Sequence, residues 1–307
     1  MNKIKEGIRN LNTTKFEIKF ELSSLSEIGT CLAGNMLRCF HYNNYTTQLS
    51  PWGVIPNPFV IRNEIKRLFI KNQQGFILKN SDGTYSDSSR TWKKFDSIIE
   101  MEKYNEEFDR IALNHLQNSS AIFISYGLTE IWSPTNNPDI VLNRLPDKTE
   151  ELQENLWINR LADVTEVKDC IFETINILRE YIGPEYPIIF CVCPAGLKYT
   201  FSAMPLKTAD NHSKSSLYTI LQMAVKEFDK VVYFPAYEYG MLSKCNKSVY
   251  QPDGRHYTAK GIEGFCKLFS AFFQKVVTFK SGFSVPFYNE NGMRCGRLYS
   301  NGKIKME

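Results

Sequence analysis

A cysteine and a histidine stand in the two stretches of this sequence that best suit nucleophilic chemistry. Cys31 follows Gly29 and Thr30, where an apolar stretch gives way to an amphipathic one, so we expect it in the first turn of a helix. The positive end of the helix macrodipole lies there and lowers the pKa of a thiol. His256 stands three residues after Asp253, in a loop of turn-forming residues. A carboxylate at that spacing can hold one imidazole tautomer while the ring moves a proton.

Together these residues predict acyl transfer through a covalent intermediate. Cys31 would be the nucleophile, His256 the general base and then the general acid, and Asp253 the group that orients the imidazole. Free cysteines are often small buried hydrophobes, so a packing role under the helix is the alternative for Cys31. Threonine commonly caps helices, and the sequence favours that role for Thr30 over a nucleophilic one.

Continuous apolar runs predict strands that are buried on both faces of a parallel sheet. An apolar stretch before Gly29 is followed by "AIFISYG" (Ala121–Gly127), "PIIFCVCP" (Pro187–Pro194) and "KVVYFPAY" (Lys230–Tyr237). Helical spacing predicts helices at Asp96–Leu116, Asp163–Gly183, Ser213–Phe228 (with Ser213 as N-cap) and Thr258–Val276. This alternation predicts an α/β fold, a three-layer α/β/α sandwich with a mostly parallel central sheet. Ligands of such sheets bind at the carboxyl ends of the strands.

Both ends of the chain carry β signals. "KFEIKFEL" (Lys15–Leu22) alternates apolar and charged residues and predicts a half-exposed strand. Two Asn-Gly pairs near the C-terminus predict hairpin turns, at Asn291-Gly292 and Asn301-Gly302. We therefore divide the chain into an α/β catalytic domain, residues 1–278, and a small C-terminal β-hairpin appendage, residues 279–307. Polar stretches predict loops at Asn80–Ser89 and Ser133–Asp139.

Composition argues against several classes of protein. Hydrophobic residues make up 43% and charged residues 23%, as in ordinary globular proteins. No apolar run approaches the roughly 20 residues of a membrane span, and no signal-peptide core is visible, so we expect a cytoplasmic protein. The net charge of +4 is spread along the chain and predicts no nucleic-acid partner. Cys191 and Cys193 are spaced neither as a redox pair nor as a zinc half-site, so no metal site is predicted.

Several short motifs resemble one known family. They are "IGTCLA", "SPWGVIPNP", "YGLTEIW", "SKSSL", "YFPAYE" and "DGRHYT". In this order they resemble the GSCFA family, a branch related to the SGNH/GDSL hydrolases and acyltransferases. The resemblance spans Ile28 to Phe269, which is most of the chain. It implies an SGNH-like catalytic domain.

The resemblance also implies roles for individual residues. The superfamily's nucleophilic serine stands two residues after a glycine, and Cys31 stands at that distance from Gly29, with Thr30 between them. Asp253 and His256 resemble the Asp-x-x-His pair that completes SGNH sites.

The resemblance implies oxyanion contacts at three positions, Gly53, Gly127 and Thr129, and the sequence adds Thr30 and Glu130 as candidate substrate contacts. Gly53 resembles the second-block glycine, which offers a backbone N–H beside that of Cys31. Gly127 and Thr129 match a Gly-x-Asn block, with Thr129 in the place of the donating asparagine. Each such donor is worth roughly 3–4 kcal/mol of transition-state stabilisation. Glu130 could face the substrate, although an exposed acid explains it equally well.

The resemblance leads to an expected function. We expect an O-acetyltransferase of a bacterial capsular or cell-surface polysaccharide, with no tightly bound cofactor and with acetyl-CoA as the candidate acyl donor. A glycan and an acyl-CoA would then be its partners. The alternatives are a carbohydrate esterase of SGNH type and a catalytically inactive glycan-binding protein. The sequence does not determine the oligomeric state.

Overall fold

The structure, a computed structural model, describes most of the chain. The described residues are 20–43, 47, 49, 51–70, 75–80, 82–143, 157–243, 248–273, 278–280 and 282–307. The helices are α1 (Cys31–Tyr42), α2 (Pro58–Phe69), α3 (Ile98–Gln117), α4 (Val164–Tyr181), α5 (Leu206–Glu227), α6 (Ala236–Leu242) and α7 (Ala259–Phe272). The strands are β1 (Leu25–Gly29), β2 (Ile77–Lys79), β3 (Tyr85–Asp87), β4 (Ala121–Tyr126), β5 (Glu130–Pro134), β6 (Trp157–Leu161), β7 (Ile188–Val192), β8 (Val231–Tyr233), β9 (Ser284–Tyr288), β10 (Arg294–Tyr299) and β11 (Ile304–Met306). No helix within these ranges is both long and apolar enough to pass through a bilayer.

A four-stranded sheet forms the centre of the fold. Its order is β1-β4-β7-β8, and every neighbouring pair runs parallel. Beyond β1, isolated parallel bridges join Leu25 to Thr47 and Gly29 to Val54, so the chain returns along the outer edge of β1. The predicted α/β class with a parallel central sheet is confirmed. Because the strands are parallel, the carboxyl ends of β1, β4 and β7 meet at one edge.

Two hydrophobic cores, one on each face of the sheet, make the fold a three-layer sandwich. Along β4, Ile122, Ile124 and Tyr126 enter one core, and Ala121 and Phe123 enter the other. Helices α2 to α5 complete the first core, and α1 and α7 complete the second. Burial of each large apolar side chain contributes about 1.5–3 kcal/mol, so β4 is held firmly from both faces.

The observed elements differ from the predicted ones mainly at polar segments. Helix α5 begins at Leu206, so Ser213 lies inside the helix and the prediction that it is an N-cap is wrong. The polar residues before Ser213 gave no apolar periodicity from which the earlier start could be recognised. Helices α2 and α6 and the antiparallel pairs β2–β3 and β5–β6 are additions to the predicted elements. Strand β3 lies in the predicted loop Asn80–Ser89, and α6 begins at Ala236, inside the predicted strand Lys230–Tyr237. The strand predicted at Lys15–Leu22 falls largely on residues 15–19, which lie outside the described residues.

The C-terminal segment forms a three-stranded antiparallel sheet of order β11-β10-β9. The left-handed glycines Gly292 and Gly302, with φ of 71° and 85°, occupy the turns that the Asn-Gly pairs predicted. Val285 and Leu298 are buried in the core that α1 and α7 share. Arg38 of α1 also donates a hydrogen bond of 3.3 Å to the carbonyl of residue 284. The C-terminal sheet is therefore packed onto the α/β sandwich.

The turn from β1 into α1 depends on a close approach between two backbones. Gly29 has a φ of 140°, a conformation that side-chain-bearing residues rarely adopt. A Cβ atom at this position would overlap the backbone carbonyl of Ser125 on β4. Thr30 N–H donates to that same carbonyl over 3.0 Å, and the N–H of Ile55 donates to the Gly29 carbonyl over 2.7 Å. These contacts fix the position from which α1 starts.

We predict that Gly29→Ala lowers the free energy of unfolding by about 3 kcal/mol, because the added methyl group combines backbone strain with a collision against rigid backbone. Urea denaturation measures the change. Gly83→Ala is the matched control, since Gly83 also has a positive φ, 82°, but has open space where its Cβ would lie. It should cost about 1 kcal/mol. Equal losses for the two variants would contradict the steric explanation.

Candidate active site

Cys31 is the first residue of α1 and lies at the carboxyl end of β1. The residue before it, Thr30, occupies the N-cap position, but its side chain makes no capping hydrogen bond. The Thr30 hydroxyl instead pairs with the hydroxyl of Ser125 over 2.6 Å. Thr30 is therefore a cap by position only, and its side chain ties the turn to β4. Cys31 remains half-buried, with its thiol free of any disulfide.

Asp253 and His256 form the pair that their spacing predicts. The Asp253 carboxylate hydrogen-bonds to His256 Nδ1 and accepts the backbone N–H groups of Arg255 and His256, each over 3.0 Å. Partial burial acts to raise the pKa of Asp253, but these hydrogen bonds outweigh burial and leave the pKa below its usual value. Asp253 is therefore a carboxylate at neutral pH. Its contact with Nδ1 makes Nε2 the ring nitrogen through which His256 can exchange a proton.

A tyrosine from the C-terminal sheet covers the imidazole. The rings of His256 and Tyr288 stack with centroids 3.6 Å apart and planes inclined by 9°. Gln251 holds the strand that carries this tyrosine, because it donates to the Pro286 carbonyl over 2.8 Å and accepts the Tyr288 N–H over 2.7 Å. The C-terminal sheet thus supplies one wall of the candidate site.

Two cavities meet at Cys31. The smaller, of about 240 Å³, is lined by Cys31, His256, Gly53 and Tyr288 among others. The larger, of about 480 Å³, is lined by Cys31 and by the loops that follow β4 and β7. Thr30, Cys31 and Val54 belong to both walls. The structure therefore brings the predicted nucleophile and the predicted base to one cavity at the carboxyl edge of the sheet.

The thiol of Cys31 is held in its protonated form. Burial raises its pKa to about 12, and the neighbouring Cys193 acts in the same direction. Arg255 and Lys214 act to lower the pKa, as does the backbone N–H at the start of the helix, but burial outweighs them. The sequence-based expectation of a lowered pKa is therefore wrong, because it considered the helix dipole and the imidazole without the loss of hydration.

The two predicted glycines have different surroundings. Gly53 lines the smaller cavity, and a Cβ there would lie 2.5 Å from the ring of Trp92, so only glycine fits. Gly127 lines the larger cavity, but its N–H donates to the Pro56 carbonyl over 2.8 Å. The N–H of Gly127 is therefore already used in the hydrogen bond to Pro56 and does not point to a ligand. Gly53 lies beside Cys31 in the wall of the smaller cavity.

Thr129 is engaged by helix α5 and Glu130 by the loop after β7. Thr129 is fully buried, pairs with the Ser213 hydroxyl over 3.1 Å and lines neither cavity, so the structure does not bring it to Cys31. Glu130 lines the larger cavity, where its carboxylate accepts the hydroxyl of Thr200 over 2.6 Å and the N–H of Phe201 over 2.8 Å. Its first role is thus to hold the loop after β7.

The structure adds site residues to those that sequence reasoning selected. Lys214, Arg255 and Cys193 line the larger cavity, and Tyr288 lines the smaller one. A single sequence gives little signal for any of them, because each reaches the site only through tertiary packing. The position of Lys214 beside Ser213 and that of Arg255 beside His256 were the available hints. In the described part of the chain, no group of three or more His, Cys, Asp or Glu side chains is placed to hold a metal ion.

Comparison with known proteins agrees with the motifs. The sequence model of the GSCFA family matches residues 24–269, a span that holds the turn at Gly29, Cys31 and the Asp253–His256 pair. The chain belongs to the GSCFA family. A search of curated proteins finds no match. The GSCFA region ends within α7, so Tyr288 and the rest of the C-terminal sheet lie beyond it.

We predict that alkylation of Cys31 by iodoacetamide accelerates about tenfold per pH unit up to at least pH 10. The thiolate is the reactive form, and its fraction keeps rising until the pH reaches the raised pKa. Peptide mass mapping over a pH series measures the rate. Glutathione, an ordinary thiol, is the reference and should level off about one unit above pH 8.5. A plateau for Cys31 below pH 9 would contradict the assigned protonation state.

Proposed function

We propose that this GSCFA protein is an acyl-transfer enzyme acting on a carbohydrate, and that it transfers an O-acetyl group to a bacterial capsular or cell-surface polysaccharide. The observation that supports this most directly is the shared cavity of Cys31 and His256, with Asp253 fixed behind the imidazole. A nucleophile, a base and an orienting carboxylate in one place are the parts that acyl transfer requires. A relationship to SGNH enzymes and a cytoplasmic location are part of the same proposal.

The proposed first half-reaction forms an acyl-enzyme. His256 Nε2 takes the Sγ proton of Cys31 as the sulfur attacks the carbonyl carbon of the donor. The tetrahedral intermediate collapses, the bond to the leaving group breaks, and His256 returns its proton to that group. A thiol that is protonated at rest suits this sequence, because the base removes the proton only as the attack proceeds.

The second half-reaction releases the acyl group to a sugar. The sugar hydroxyl gives its proton to His256 as its oxygen attacks the thioester carbon of acylated Cys31. The C–S bond then breaks, and the sulfur recovers the proton. The backbone N–H groups of Cys31 and Gly53 are the proposed oxyanion donors, each worth roughly 3–4 kcal/mol. A thioester such as acetyl-CoA suits this nucleophile, because exchange between two sulfurs is nearly isoenergetic.

A catalytically inactive glycan-binding protein is the second candidate. It is favoured by the placement of Thr129 away from both cavities, because the site would then have one oxyanion donor fewer. Replacement of the catalytic groups separates the two candidates.

We predict that incubation with acetyl-CoA adds the mass of one acetyl group to Cys31, since the sulfur is the proposed nucleophile. Intact mass spectrometry and peptide mapping locate the adduct. Cys31→Ala should abolish it, and His256→Ala should slow its formation at least about 100-fold through loss of general base catalysis. Cys295→Ala is the matched control, because Cys295 lies on the C-terminal strand β10 and lines neither cavity.

The release of CoA in the same experiment distinguishes acyl transfer from hydrolysis. Release of CoA that depends on an added oligosaccharide supports the transferase, whereas release without an acceptor supports an esterase that passes the acyl group to water. Absence of an adduct, with equal behaviour of wild type and both variants, would favour the binding protein over either enzyme.

We predict that Tyr288→Ala lowers the acylation rate about tenfold, whereas Tyr288→Phe nearly retains it. The stacked ring holds the imidazole in place, and stacked aromatic pairs contribute about 0.5–1.5 kcal/mol beyond their buried area. Single-turnover acylation, compared with urea denaturation of the same variants, measures the effect. Equal rates for the Ala and Phe variants would show that the ring does not position His256.

A further inference from the structure

A buried lysine, Lys214, lines the larger cavity. Lys214 lies inside α5 with 2% of its surface exposed. The one hydrogen bond that its ammonium group donates to the described residues goes to the Gly127 carbonyl over 2.6 Å, and Asp210 lies 3.9 Å away. Burial lowers the pKa of Lys214. A buried ammonium group has three donors to satisfy, so this lysine has capacity for a further partner in the cavity.

Arg255 adds a second positive charge to the same wall. Its Nε donates to the Gly196 carbonyl over 2.8 Å, while its terminal nitrogens donate to none of the described residues. Both Arg255 and Lys214 act electrostatically on the thiol of Cys31. The acid in this wall, Glu130, already accepts hydrogen bonds from the loop after β7. The cavity is therefore cationic next to the proposed nucleophile.

Aromatic side chains line the mouth of the same cavity. Tyr199 and Phe201 are 56% and 50% exposed, unusually open for their size. Their rings meet edge to face at 5.4 Å, and Trp132 meets Phe201 in the same way at 5.1 Å. Exposed aromatic surface beside polar groups is typical of a binding site, and an aromatic ring packs well against the C–H face of a sugar.

Building on the acyl-transfer function proposed above, we infer that the acyl acceptor is an acidic sugar. Its carboxylate pairs with Lys214 and Arg255, and its ring packs against Trp132, Tyr199 and Phe201. The two substrates differ in the distance between their negative charge and their reacting atom, and this distance distinguishes the acceptor from the acyl donor. In a coenzyme A thioester the whole pantetheine arm separates the phosphates from the reacting carbonyl, whereas in a uronic acid the carboxylate and the hydroxyls share one ring. A cation pair beside Cys31 therefore matches the acidic sugar.

The test compares glucuronate with glucose, two sugars of similar size that differ in the carboxylate. Each is added to the full chain at matched ionic strength, and the rate at which iodoacetamide alkylates Cys31 at pH 9 is followed by peptide mass mapping. Glucuronate should protect Cys31 at a concentration at least about tenfold lower than glucose, because its carboxylate accepts charge-assisted hydrogen bonds that glucose cannot accept. The assay needs no acyl transfer, so it can succeed even where the proposed function fails.

Lys214→Gln should remove the preference for glucuronate. Lys207→Gln is the matched control, since Lys207 is exposed on the same helix outside the cavity and its loss should leave the preference intact. Urea denaturation establishes whether both variants fold. If Lys214→Gln does not fold, the comparison of glucuronate with glucose on the wild-type protein still tests the inference.

Other outcomes overturn the inference. Equal protection by glucose and glucuronate, or protection by neither, would show that the cations do not bind a sugar carboxylate. Protection by coenzyme A, without protection by glucuronate, would assign the cationic wall to the acyl donor. An acetyl adduct on Cys31 with no preference for glucuronate would retain the acyl-transfer function and remove the acidic acceptor.

Discussion

The close contact between Gly29 and Ser125 determines where helix α1 begins and therefore where Cys31, the proposed nucleophile, lies. The backbone of β1 approaches β4 so tightly that only glycine fits, and the next residue, Thr30, bonds to Ser125 through both its N–H and its hydroxyl. Helix α1 must then begin at a fixed point, with Cys31 as its first residue. The position of the sulfur is thus set by the central sheet.

The two halves of the candidate site differ in how they are supported. Cys31 rests on strands whose pairing is secured by two cores, whereas His256 stands on a loop and depends on local contacts. Asp253 and Tyr288 supply the contacts to the imidazole ring itself. The latter comes from beyond the GSCFA region, so the matched region alone does not complete the wall around the imidazole.

Much of the fold follows from the sequence, because continuous apolar runs predict buried strands and capping residues predict where helices begin. Strands β4 and β7 were recognisable in this way, whereas the pairing of Asp253 with His256 was recognisable from their three-residue spacing. The protonation state of Cys31 was not, because it depends on hydration that only the packed structure defines. Lys214 was equally hidden, since a lysine in a polar helical run is normally solvated, and nothing in its neighbours indicates that its end reaches Gly127. Tyr288 lies in a segment whose turns were predictable but whose docking was not.

The meeting of the two cavities at Cys31 has a consequence for the order of events at the site. Under the proposed function, an acyl group on the sulfur would lie where the walls of the two cavities share Thr30, Cys31 and Val54. Donor and acceptor would then not need to be present together, as in a double-displacement scheme in which the first product departs before the second substrate arrives. The two cavities would then give the two substrates access to the Cys31 sulfur one after the other.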